Sequence, residues 1–120
     1  MAGDLGIHSN LFGGTMLSWI DEAGAALASQ IVCTPRVVTV KMSEVVISRP
    51  VKAGNLIKIY GQVKDVGNTS LTLALVAKKE SPYTQEQKEV CSTDITFVRI
   101  DGEGDPVPIS ERVKKKYSTA

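Results

Sequence analysis

A change of hydrophobic period near Val37 limits what this chain can fold into. Before it, the stretch FGGTMLSWIDEAGAALASQI carries apolar residues at Phe12, Met16, Ile20, Ala23, Leu27 and Ile31. Steps of three and four place these on one helical face. Thr15 can cap the helix start, the Ala-rich run after Asp21 favours helix intrinsically, and Pro35 stands just past its end. The spacing predicts a helix over about Gly14–Val32, preceded by a lead-in loop or short strand over residues 1–11. No second helix of comparable length is expected beyond it, so the rest of the chain must use this one as its cover.

From Val37 onward the chain alternates with period two. Val38, Val40 and Met42 alternate with Thr39, Lys41 and Ser43, and the apolar phase then slips to Val45 and Ile47. A one-residue slip inside a strand predicts a bulge near Ser43–Glu44. Ile57, Ile59, Gly61 and Val63 form a second alternating run. A tight Val66–Thr69 turn leads into a third, with Leu71, Leu73, Leu75 and Ala77. A polar loop over Ser81–Gln87 precedes a fourth, with Cys91, Thr93, Ile95 and Phe97, and residues 101–120 read as an irregular tail. One long helix and at least four antiparallel strands make an α+β fold. The apolar face of the sheet has to be covered by the helix.

Composition narrows the function classes. The 120 residues suffice for a single domain with its own core, and a formal net charge of +1 gives no general pull toward nucleic acid. Basic residues cluster only at Arg112, Lys114, Lys115 and Lys116, which reads as a solvated terminus or as a contact for an anionic partner. Cys33 and Cys91 are far apart and lack metal-ligand spacing, so they are expected to be reduced thiols in a cytoplasmic protein with no metal. The first ten residues have no basic start followed by an apolar run, and no segment is apolar for long enough to span a bilayer. No membrane partner is expected.

Asp21 is the residue that asks for a chemical explanation. Its helical neighbours three, four and seven residues on are Gly24, Ala25 and Ala28. Small side chains beside a carboxylate leave room for a substrate, or for the backbone of a second copy of the helix. Glu22 points about 100° away around the helix and suits a surface or intersubunit position.

The pieces FGGTMLSWIDEAGAALAS, VVTVKMSEVVISRPVKAGNLIKIYGQV and GNTSLTLALVAKK come in the order seen in the hotdog-fold acyl-CoA thioesterases, and the chain resembles that family over most of residues 10–100. The resemblance implies a hotdog fold, in which a curved antiparallel sheet wraps the long helix, and hydrolysis of an acyl-CoA thioester to the acid and coenzyme A. It implies a thioester bound between two subunits. Backbone amides around Gly13 and Gly14, at the start of the helix, would polarise the carbonyl, and Asp21 of the facing subunit would act as general base or nucleophile. Helix N-termini carry unpaired donors, and such donors are worth roughly 3–4 kcal/mol each where oxyanion charge develops. Asn10, Phe12, Thr69, Ser70, Arg49 and Lys78 are the candidate substrate contacts, with Thr69–Ser70 near the nucleotide and Arg49 and Lys78 toward phosphates. No metal or organic cofactor is implied, since coenzyme A enters only with the substrate. A homodimer is the minimum unit, extended in relatives to tetramers or hexamers.

The chain departs from the family in one respect. Many relatives carry an Asn before the glycines, whereas an ungapped match puts Gly6 there and leaves His8 and Asn10 out of register. That departure keeps a non-catalytic acyl-CoA-binding or sensing module as the alternative reading. A dehydratase would need a catalytic His with a carboxylate, and His8 is the only histidine.

Overall fold

The structure is a computed structural model that describes residues 5–49, 51 and 54–117, with residues 5–13 described as backbone. Its elements are α1 (Leu5–Val32), β1 (Val37–Ile47), β2 (Leu56–Val66), β3 (Ser70–Glu80), β4 (Gln87–Arg99) and α2 (Glu111–Tyr117). The strands form one antiparallel sheet in the order β1-β4-β3-β2, so β1 and β2 are its edges. This is the expected α+β architecture, with α1 packed across one face of all four strands.

Helix α1 buries Met16, Ile20, Gly24, Ala28 and Val32, a strict four-residue series, against Leu71, Leu73, Leu75, Ile95 and Phe97. The face therefore differs from the one the spacing predicted. Ala23, Leu27 and Ile31 lie on its flank, and Gly24 and Ala28 lie at its centre. A Cβ on Gly24 would come within 2.7 Å of Leu75 Cδ1 and 3.0 Å of Phe97 Cζ. The small residues therefore let the helix sit close to the sheet, and at Gly24 and Ala28 they do not leave the open volume that was expected. Beyond Val32 the chain takes a left-handed turn at Cys33 (φ 62°), and the Thr34 N–H reaches back to the Ser29 carbonyl at 3.1 Å. This six-to-one bond is how helices commonly close, although glycine is the usual residue at the left-handed position.

Two further expectations need correction. The helix begins at Leu5, so no loop or strand occupies residues 5–11, and Gly13 and Gly14 fall inside the helix. The tail is not irregular throughout. The chain from Val107 to Ile109 bonds back to Arg99 and Asn68, and α2 comes next, capped by Ser110. Ile109 and Val113 are buried in the main core, which is what holds this segment down. The signals were present in the sequence as a Ser cap, Glu111 in the first turn and three lysines in the last.

The bulge at Ser43–Glu44 is where the phase slip put it: the β1–β4 register shifts between Ser43 and Val46, with Glu44 at φ 54°. A second shift, between Thr39 and Lys41, was not anticipated. No helix among the described residues is long and apolar enough to cross a membrane.

Candidate active site

The unanticipated irregularity in β1 builds the candidate site. Thr39 precedes it and pairs with Phe97, whose ring lies under Gly24 of α1. Thr39 thus faces the helix, and its Oγ1 donates a 2.7 Å hydrogen bond to Asp21 Oδ1. Bulges commonly re-aim a side chain in this way near functional sites. Asp21 is half-buried, on the flank of α1 that also carries Leu17, Ala25 and Ser29. Ser29 satisfies itself locally, donating to the Ala25 carbonyl at 2.8 Å. Glu22 is exposed on the helix face away from the sheet, as expected.

Alternation alone hid Thr39, because it made Val38, Val40 and Met42 the inward set. In the structure Val38 and Val40 are 40% and 55% exposed, and the strand continues with Val45, Val46 and Ile47 exposed at 40%, 50% and 60%. An edge strand with this much bare aliphatic surface is an unusual thing to leave in water. Trp19 of α1 adds a further exposed apolar side chain. The carboxylate therefore stands beside an apolar edge.

Cross-strand register shows which sequence-predicted residues share this place. Thr39, Phe97, Leu71 and Val66 form one row across the sheet, and Thr69 and Ser70 lie at the same end. Ile47, Cys91, Ala77 and Ile59 form a row toward the other end, where Arg49 and Lys78 stand. Ser70 and Lys78 are eight residues apart on one strand, roughly 26 Å. The two groups of proposed substrate contacts therefore do not meet within a protomer. Arg49 instead donates to the Glu89 carbonyl at 2.8 Å, and the Lys78 ammonium lies 5.4 Å from the Tyr60 ring centre. Lys78 and Tyr60 stand beside a polar network on the outer face, in which Gln87 and Lys58 hold the Glu80 carboxyl below the ordinary carboxylate range. Lys64 pairs with Asp94 on the same face.

Within a continuous helix each amide points at the carbonyl four residues back, so Gly13 and Gly14 do not stand in the first turn, where donors are unpaired. The side chains of Asn10 and Phe12 lie outside the described residues. For metals, Asp101, Glu103 and Asp105 lie close enough together to be considered. They belong to an exposed turn in which Asp101 Oδ1 already accepts the amides of Glu103 and Asp105, at 2.8 and 3.0 Å. These bonds pull the Asp101 carboxyl below its ordinary range, the Asp105 amide contributing most.

A family model for the thioesterase superfamily matches residues 8–85, the span that holds all but the first three residues of α1, the Asp21–Thr39 pair and the first three strands. The chain belongs to the thioesterase superfamily. It is 30% identical over 106 residues to YkhA of Bacillus subtilis, described as an uncharacterized acyl-CoA thioester hydrolase, covering 88% of this chain and 61% of that protein. Among solved structures it resembles Cj0915, a hexameric hotdog-fold thioesterase of Campylobacter jejuni. The TM-score is 0.78 at 34% identity, over 89% of this chain and 82% of that one. It also resembles HI0827, a hexameric broad-specificity acyl-coenzyme A thioesterase solved as an aspartate-to-alanine mutant. There the TM-score is 0.80 at 27% identity, over 88% and 81% of the two chains. The hotdog fold expected from the sequence is thus the fold of this chain.

Proposed function

We propose that this thioesterase hydrolyses acyl-CoA, releasing the free acid and coenzyme A, with Asp21 as general base or nucleophile. The observation that carries the reading is the Asp21–Thr39 hydrogen bond beside an apolar strand edge. A carboxylate fixed by one donor keeps its second oxygen for a water or a carbonyl carbon, and the aliphatic surface alongside suits an acyl chain. The names of the similar proteins give the same substrate class.

The exposed β1 edge joins a second protomer in this reading, giving a homodimer that assembles further, as the hexameric relatives do. Docking there buries Val38, Val40, Val46 and Ile47 and brings the facing protomer's helix to the Asp21 carboxylate. Carbonyl polarisation then falls to amides around Gly13–Gly14. Adjacent glycines inside a helix each cost about 1 kcal/mol relative to alanine, so α1 opens most cheaply at this point. Opening there makes the next amides along the helix the new, unpaired first turn. No metal or organic cofactor takes part.

The test is thiol release from a panel of acyl-CoA esters, run beside calorimetric binding of the same esters. Hydrolysis of at least one chain-length class is expected. Tight binding with no release at any length would identify a non-catalytic acyl-CoA-binding module instead, the reading that Gly6 in place of an Asn favours.

A further inference from the structure

Helix α2 carries Glu111, Arg112, Lys114, Lys115 and Lys116, a net charge of +3 in seven residues. The whole chain carries +1, so the remainder is at −2 and the positive field is concentrated at one place. That place is defined by three bonds. Lys114 Nζ donates to Asn68 Oδ1 at 2.7 Å, the Ile109 amide donates to the Asn68 carbonyl at 2.8 Å, and the Arg112 guanidinium reaches Cys33 Sγ at 3.6 Å. With Ile109 and Val113 buried, α2 is a fixed part of the domain. It stands at the Thr69–Ser70 end of the sheet, the end that also holds Asp21 and Thr39.

The cations are not equally free. Lys114 is occupied by Asn68 and by Glu111 at 3.5 Å. Arg112, Lys115 and Lys116 are exposed and form no ion pair among the described residues, and Lys116 lies 5.5 Å from the ring centre of its neighbour Tyr117, a contact that leaves its charge unpaired. Arg112 touches Cys33, twelve residues along the chain from Asp21, a distance of about 18 Å at helical rise. A pantetheine arm has a reach of this order between its thioester sulfur and the phosphates of coenzyme A. Arg49 and Lys78 lie instead at the far end of the sheet, engaged with Glu89 and Tyr60.

We infer that Arg112, Lys115 and Lys116 of α2 bind the phosphates of coenzyme A, making the C-terminal helix the anion-reading part of the substrate site. The inference rests on the proposed acyl-CoA function. The variant R112E/K115E/K116E reverses the three exposed cations and leaves the buried Ile109 and Val113 untouched. Binding of coenzyme A, dephospho-coenzyme A and pantetheine is measured by calorimetry at low and high salt, with circular dichroism as the check on folding. Native protein is expected to bind coenzyme A at least tenfold more tightly than the reversed variant at low salt, with the gap closing as salt rises. Pantetheine, which has no phosphate, is expected to bind both equally. Coenzyme A binding that is unchanged in a folded variant overturns the inference, as does an equal loss for pantetheine. Should the variant not fold, R112Q/K115Q/K116Q carries the same expectation with a smaller gap. Because the readout is binding, absence of hydrolysis would defeat the acyl-CoA hydrolase reading without touching this one.

Discussion

The same substitution at two glycines of α1 should have opposite effects, because their surroundings differ. At Gly14 a Cβ would meet nothing within 4 Å, so Gly14→Ala gains helix propensity alone, about 1 kcal/mol. At Gly24 the Cβ would stand 2.7 Å from Leu75 Cδ1 and 3.0 Å from Phe97 Cζ, both in a core where those side chains are 2% and 1% exposed. Overpacking of this kind costs about 1–3 kcal/mol, which exceeds the propensity gain over most of that range and leaves a net loss of up to roughly 2 kcal/mol. Urea or thermal unfolding at fixed protomer concentration should therefore show Gly14→Ala raised by about 3–5 °C and Gly24→Ala lowered. Gly14→Ala should also be slower on acyl-CoA. Making the helix about 1 kcal/mol harder to open leaves roughly fivefold fewer molecules with released amides, and turnover should fall by that factor. A Gly14→Ala protein that is stabilised and fully active would refute helix opening as the source of the carbonyl donors. A Gly24→Ala protein as stable as the native one would refute the close approach of helix and sheet.

Other perturbations probe other parts of the account. Thr39→Val keeps the shape of the side chain but removes the donor to Asp21, and kcat should fall about five- to tenfold in thiol-release assays with coenzyme A affinity unchanged. Ile109→Ala should destabilise by about 2–5 kcal/mol in urea unfolding, because Ile109 is 2% exposed and anchors the α2 segment. Asp101 has its folded pKa depressed by backbone amides, so its contribution is present above the ordinary carboxylate range and is lost as pH falls through the lowered value. Asp101→Asn should accordingly flatten the acid limb of stability against pH. Cys33→Gly should raise the melting temperature, since glycine relieves the left-handed backbone at φ 62°.

Hydrophobic period was enough to read the helix–sheet division, all four strands and the bulge at Ser43–Glu44, because those features depend on which side of a strand must be dry. It misled where two surfaces compete for apolar residues. Val38, Val40, Val45 and Ile47 look like core but lie at an exposed edge, and that concealed Thr39 as the partner of Asp21. Gly24 and Ala28 looked like open space because size alone does not tell a cavity from a close contact. The distance between Ser70 and Lys78 depends on which end of β3 each occupies, so the substrate contacts drawn from separate motifs fall into two groups at opposite ends of one protomer's sheet. The α2 helix was missed because its charges dominated a short apolar signal, Ile109 just before the helix and Val113 within it.

The most direct measurement is kcat for acyl-CoA hydrolysis by Asp21→Ala, compared with native protein at the same oligomeric state and with coenzyme A affinity measured in parallel. Loss of a positioned base predicts a fall of about 10²–10⁴-fold with affinity retained. Turnover at the native rate by Asp21→Ala would contradict the assignment of the chemistry to this carboxylate.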